Sequence, residues 1–167
     1  MRNVKVFCVL ISLMAAGAYA QTPAGGFWGG LPDGPFTPGF RLVEASDATR
    51  SFPSEDGTGL VPRPLRVYVW YPAGGTSAPP MRFDDYVRMA LEDFGTDILP
   101  VPLTKGLDAA ILRKLRDSSV AAVREAAAAP GKFPVIVLGQ GLYYESPMCH
   151  FVLCEFLAAH GYVVATS

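Results

Sequence analysis

This sequence has few cysteines, few histidines and almost no net charge. Its 167 residues include three cysteines and two histidines, and the net charge is −1. A nearly neutral chain lacks the basic face that holds a nucleic acid, so we expect no nucleic-acid partner. The two histidines do not have the helical spacing of a metal site. The Gly-x-Gly sequence at 139–141 lacks the third glycine and the following acid of a dinucleotide site. We therefore expect no metal and no cofactor.

The reactive side chains near the carboxyl end of the chain are poorly spaced for chemistry. Cys149 and His150 are neighbours on a predicted helix and point about 100° apart, which disfavours a thiol–imidazole dyad. Cys154 lies five positions from Cys149, on another face, so these two cysteines are predicted to be small buried thiols rather than a disulfide. Glu155 lies five residues from His150, which is not a metal-binding spacing.

The first 20 residues have the features of a secretory signal peptide. Arg2 and Lys5 precede an apolar run that ends at Gly17, and Ala18-Tyr-Ala20 supplies a small-x-small cleavage site. An uncleaved membrane anchor is the alternative, although the run is short for crossing a bilayer. Cleavage after Ala20 would give a secreted or periplasmic protein without a stable membrane span.

Residues 21–38, rich in glycine and proline, are predicted to form an extended arm over the domain surface. Strands are expected at 39–45 and 65–71, paired as an antiparallel edge, with a loop over 47–63 between them. Apolar spacing of three and four then predicts helices at about 82–94 and 107–129.

These helices form an insertion at about 81–129 within a domain that spans 39–167. Two interpretations of the insertion remain open: a cap that shapes an ester pocket, or packing on the solvent side. The cap predicts that Phe83, Tyr86 or Phe94 faces the loop at 139–145. The acidic pairs Asp84-Asp85 and Glu92-Asp93 are interpreted as a solvated helix face.

The clearest local pattern is a βαβ unit over residues 133–167. The β-branched run at 134–138 is typical of a parallel strand covered on both faces, and two glycines then turn the chain. Ser146 is predicted to cap a helix that runs to about His160, where Gly161 ends it before a second strand at 162–165. Because ligands bind at the carboxyl ends of such strands, chemistry is expected in the loop at 139–145.

This βαβ unit resembles part of an α/β-hydrolase, most closely the secreted esterases related to platelet-activating factor acetylhydrolase and dienelactone hydrolase. The resemblance rests on the loop after the strand, on the run LAAHGYVVA at 157–165, and on RPLRVYVWYP at 63–72. It implies an α/β fold: the amino-terminal half of the hydrolase sheet, with antiparallel first strands and then the βαβ unit. It also implies an exported hydrolase that acts on small-molecule or lipid-like carboxylic esters.

The resemblance also implies an oxyanion loop at Gln140, Gly141 and Leu142, with the backbone N–H of Leu142 as donor. The sequence departs from the family at Gln140, where a histidine is usual. This change puts the hydrogen bonding inside the loop in doubt, but the backbone donor remains.

A serine nucleophile on this fold is usually found within Gly-x-Ser-x-Gly, and this sequence contains no such pattern. The sequence therefore offers no candidate nucleophile, and we assign no acid or histidine partner to it. We expect the chain to be the amino-terminal part of a longer serine hydrolase and inactive when isolated. The alternative is a non-catalytic exported binding module on a partial hydrolase scaffold.

Overall fold

The computed structural model describes residues 26–54, 56–94, 108–139 and 146–167. The strands are β1 Thr37–Pro53, β2 Leu60–Ala73, β3 Val123–Arg124, β4 Val135–Val137 and β5 Val163–Thr166. The helices are α1 Phe83–Phe94, α2 Ala109–Asp117 and α3 Phe151–Ala159, and a 3-10 helix at Pro147–His150 precedes α3.

The five strands form one mixed sheet in the order β3-β1-β2-β5-β4. β2 is antiparallel to both of its neighbours, whereas β4 and β5 are parallel and are joined through α3. The predicted antiparallel edge and the predicted βαβ unit are both present, so the chain has the expected α/β fold. The predicted helix from Ser146 to about His160 is divided: the Ser146 hydroxyl caps the 3-10 helix, α3 follows from Phe151, and Gly161, with a φ of 90°, lies just beyond its end as predicted.

The two faces of the sheet differ in how they are covered. On one face, Phe40, Tyr68, Trp70 and Val164 pack against α1, the 3-10 helix and α3. On the other, Val135 is 64% exposed and Val137 is 79% exposed. The prediction that β4 is covered on both faces is therefore wrong for the part of the chain that is described.

The predicted loop over 47–63 is largely a two-stranded ribbon. β1 and β2 continue to pair out to Pro53 and Leu60, with an irregularity in β1 between Asp47 and Ser51. A tight turn follows, in which the Ser54 N–H donates to the Gly59 carbonyl over 3.0 Å. Pairing between the two strands therefore outweighs the turn-forming composition of this segment. The extra residues of β1 between Asp47 and Ser51 form a bulge opposite β2.

The predicted helix over 107–129 is helical only as far as Asp117, so the insertion at 81–129 is less helical than expected. After Ser118 the chain is extended: the Val120 N–H bonds to the Met81 carbonyl, and β3 pairs with β1. Ala122 is fully buried and Ala126 nearly so. Small side chains allow this close approach to the sheet, so tertiary contacts override the helical preference of alanine.

Helix α1 belongs to the core layer of the domain. Tyr86 is fully buried, and the Phe83 ring lies 5.4 Å from the Phe151 ring. This packing places α1 in the core of the domain, and the choice between a cap and packing on the solvent side stays a prediction. The side chain of Phe94 and most of the loop at 139–145 lie outside the described residues, so the remainder of the cap prediction stays a prediction. Among the described residues, no helix is long and apolar enough to cross a membrane.

Candidate active site at the carboxyl edge of the sheet

β4 and β5 end at the same edge of the sheet because they are parallel. The Leu138 N–H still donates to the Ala165 carbonyl over 2.9 Å, and the chain leaves the sheet at Gly139. Thr166 and Ser167 reach this edge from β5. The edge is where an open α/β sheet binds ligands, and it is where the predicted oxyanion loop begins.

The three predicted oxyanion residues, Gln140, Gly141 and Leu142, lie outside the described residues. The next described residue is Ser146, whose buried hydroxyl accepts from the Met148 N–H over 3.2 Å. Pro147 occupies the first turn, where its missing N–H has no cost. The structure therefore fixes where the loop segment leaves β4 and where it enters the 3-10 helix.

A polar cluster lies at the same edge, on the covered face of the sheet. We call it the carboxyl-edge cluster, and its members are Arg66, Tyr68, Asp93 and Thr166. Tyr68 pairs across the strands with Thr166 and donates its hydroxyl to Asp93. Arg66 forms an ion pair with Asp93 over 2.6 Å. The Asp93 side chain is only 10% exposed, so the prediction of a solvated Glu92-Asp93 face is wrong at Asp93.

The carboxyl-edge cluster is incompletely satisfied. Arg66 Nε and Thr166 Oγ1 are buried and have no hydrogen-bond partner among the described residues. Burial and the neighbouring Asp93 carboxylate raise the pKa of Tyr68, so this phenol stays a neutral donor. Buried polar groups without partners are rare, and each one needs an explanation. The cluster therefore marks this edge as a place where a further polar group is expected.

A second polar cluster, the central cluster, lies between the sheet and the helices. Its members are Trp28, Trp70, Tyr86 and Glu155. The Glu155 carboxylate is fully buried and accepts four hydrogen bonds: from Trp28 Nε1, the Tyr86 hydroxyl and the backbone N–H groups of Ala121 and Ala122. Trp70 Nε1 in turn donates to the Tyr86 hydroxyl over 2.8 Å.

This arrangement gives Glu155 a structural role. Burial raises the pKa of Glu155, and the hydrogen bonds from Tyr86, Trp28 and the two backbone groups oppose that rise. Four donors meet both carboxylate oxygens, which leaves no room for a metal ion. Within the described ranges, no group of three or more His, Cys, Asp or Glu side chains could hold a metal.

The two cysteines and His160 differ in burial and in what their side chains contact. Cys154 is buried, as predicted, and burial raises its pKa to about 12, so its thiol is inert. Cys149 is exposed, which contradicts the prediction of two buried thiols. His160 Nδ1 lies 2.7 Å from the Phe156 carbonyl at the end of α3.

Sequence reasoning missed both polar clusters. A signal for the central cluster was available: Glu155 is the single charged residue in α3, FVLCEFLAA, which is apolar on every side. A charge in such a helix is either exposed or fully paired. For the carboxyl-edge cluster, the signal was Arg66 within an otherwise apolar strand.

Comparison with known proteins identifies the kind of fold. No family model and no curated protein matches the chain. Among solved structures, the chain is similar to a ferulic acid esterase from Streptomyces cinnamoneus, with 26% identity over 82% of this chain and a TM-score of 0.55. The chain has an α/β fold of the α/β-hydrolase type. It covers 34% of the length of that esterase, or about a third.

Proposed function

We propose that this chain is the amino-terminal part of an exported serine hydrolase that acts on carboxylic esters. The observation that carries the proposal is the similarity to an esterase across 82% of this chain but only 34% of the other. Two features of the described residues agree with a missing remainder: the valines exposed on β4, and the unpartnered groups of the carboxyl-edge cluster.

In the proposed mechanism, a serine from the remainder attacks the ester carbonyl and forms an acyl-enzyme that water then hydrolyses. This chain contributes the oxyanion loop at Gln140, Gly141 and Leu142. The Leu142 N–H would donate to the oxygen on which negative charge develops. Such a donor contributes about 10²–10³ in kcat.

The finer proposal is an acetylhydrolase-like or dienelactone hydrolase-like esterase with a small-molecule or lipid-like substrate. It rests on the sequence resemblance, and the feruloyl ester of the structural neighbour is a second substrate class to test. A cleaved signal peptide at 1–20, which lies outside the described residues, would place the protein in the periplasm or outside the cell.

The deciding experiment begins with the coding DNA beyond the Ser167 codon. An open frame that encodes Gly-x-Ser-x-Gly, followed by an acid and a histidine, would support the proposal. The protein encoded by that longer frame would then be tested on a short-chain p-nitrophenyl ester and on a feruloyl ester. A stop codon directly after Ser167 would instead favour the non-catalytic binding module.

In that longer protein, Leu142→Pro removes the proposed oxyanion donor, and Leu142→Ala is the matched control that keeps the N–H. We expect Leu142→Pro to lower kcat by roughly 10²–10³ while Leu142→Ala stays near the unchanged enzyme. Equal activity of the two variants would contradict the assignment of the loop.

A further inference from the structure

The amino-terminal arm is built into the helical layer through its aromatic side chains. We call residues 27–36 the strap. The Phe27 ring lies 4.9 Å from that of Phe83 and 5.3 Å from that of Phe151, so it joins α1 to α3. At the other end, the Phe36 N–H donates to the Ala159 carbonyl over 3.1 Å. Residues 29–33 between these attachments are exposed.

The strap lies very close to α3 at Gly34. A Cβ atom added there would be 2.1 Å from the Ala159 carbonyl oxygen, so a larger residue could not occupy this position without moving the chain. The strap therefore has a defined path over α3.

Trp28 is held in a slot with both an apolar wall and a polar base. Its ring is almost fully buried and meets the Phe156 ring edge to face at 5.7 Å. At the base of the slot, Glu155 Oε2 accepts two hydrogen bonds, from Trp28 Nε1 over 3.2 Å and from the Ala121 N–H over 3.1 Å. A buried carboxylate oxygen can only accept, so the slot favours a ring that carries a donor.

The geometry points to a binding site for an aromatic ring with an N–H donor, such as an indole, in the slot formed by Ala121, Glu155 and Phe156. The strap supplies the resident ligand, Trp28. Attachment of the strap is then coupled to the packing of α1 and α3, because the Glu155 carboxylate on α3 also accepts a hydrogen bond from the Tyr86 hydroxyl on α1. This site is independent of the proposed esterase function.

The test empties the slot and refills it with a free molecule. Trp28→Gly leaves an aromatic-sized cavity with the carboxylate at its base, and we expect the Tm to fall by about 10 °C or more. Millimolar indole should restore a measurable part of that loss. Benzofuran has the same shape with oxygen in place of the N–H, and it should restore less than about a third of what indole restores.

The controls separate a specific site from general binding. Indole should leave the Tm of the unchanged protein as it is, because Trp28 already fills the slot. Equal rescue by indole and benzofuran, or rescue by neither, would overturn the proposal.

A second variant keeps the inference testable if Trp28→Gly fails to fold. Trp28→Phe keeps an aromatic ring but removes the donor and one of the two fused rings, so it should lower the Tm and increase protease cleavage within the exposed residues 29–33. Phe27→Leu is the control variant, because Phe27 also lies in the strap but its side chain donates no hydrogen bond to a carboxylate. A Glu155→Gln background should narrow the difference in Tm between tryptophan and phenylalanine at position 28, because only the lost ring volume then separates them. A Trp28→Phe protein with unchanged Tm and cleavage would show that the donor plays no part.

Discussion

The two polar clusters of this domain differ in how completely their hydrogen bonds are made. In the central cluster, each oxygen of the Glu155 carboxylate receives two donors. In the carboxyl-edge cluster, Arg66 Nε and Thr166 Oγ1 are buried without a partner among the described residues. A complete network specifies one arrangement of the core, whereas an incomplete one indicates where a further group is expected.

The largest effect should come from breaking the complete cluster at its centre. Glu155→Gln replaces one acceptor oxygen by an NH₂ group that faces N–H or O–H donors. We expect a loss of about 3 kcal/mol or more in the free energy of unfolding, because two buried donors lose their acceptor. Urea unfolding followed by tryptophan fluorescence measures this loss.

Glu125→Gln is the matched control for this substitution, since the Glu125 side chain is 55% exposed and pairs with Arg41 at the surface. An exposed ion pair contributes little, so this variant should unfold at nearly the same urea concentration as the unchanged protein. Equal stability of the Glu155 and Glu125 variants would show that the central cluster does not hold the core together.

A pair of tyrosines compares the two clusters with the same chemical change. Tyr86→Phe removes a hydroxyl that accepts from Trp70 and donates to Glu155, so two buried groups lose a partner. We expect a cost of about 2 kcal/mol. Tyr68→Phe leaves Asp93 paired with Arg66 and should cost about 1 kcal/mol. Thermal and urea unfolding of both variants give the order, and a costlier Tyr68→Phe would reverse the comparison.

Much of the βαβ unit could be predicted because its signals are local. The β-branched run before Gly139, the cap at Ser146 and the left-handed Gly161 each constrain the backbone within a few residues. The same holds for the antiparallel pairing of β1 with β2, since both strands carry β-branched and aromatic side chains.

Other features depend on contacts between distant residues, which local pattern does not contain. The alanines near Ala122 are good helix formers, yet they lie extended because the sheet edge accepts small buried side chains. The ribbon beyond Asp47 forms through cross-strand pairing despite its prolines and glycines. Of the candidate site, the proposed oxyanion residues at 140–142 lie outside the described residues and stay a prediction. For the carboxyl-edge cluster, Arg66 in an apolar strand indicated a buried charge, but its partner Asp93 could not be predicted because it lies 27 residues away.

The smallest stability effect should come from Thr166→Val, which removes one of the unpartnered groups at the carboxyl edge. Because valine has the same shape and Thr166 Oγ1 has no hydrogen-bond partner among the described residues, the free energy of unfolding should stay the same or rise by up to about 1 kcal/mol. Ser146→Ala is the matched control, since this hydroxyl caps a helix, and its loss should cost about 1 kcal/mol. Urea unfolding of both variants decides between a partnered and an unpartnered hydroxyl.

A Thr166→Val protein that loses as much stability as Ser146→Ala would mean that the carboxyl-edge cluster is as complete as the central one. If Thr166→Val is neutral here but lowers ester turnover in the longer protein, the hydroxyl finds its partner in the completed active site, as the incomplete cluster predicts.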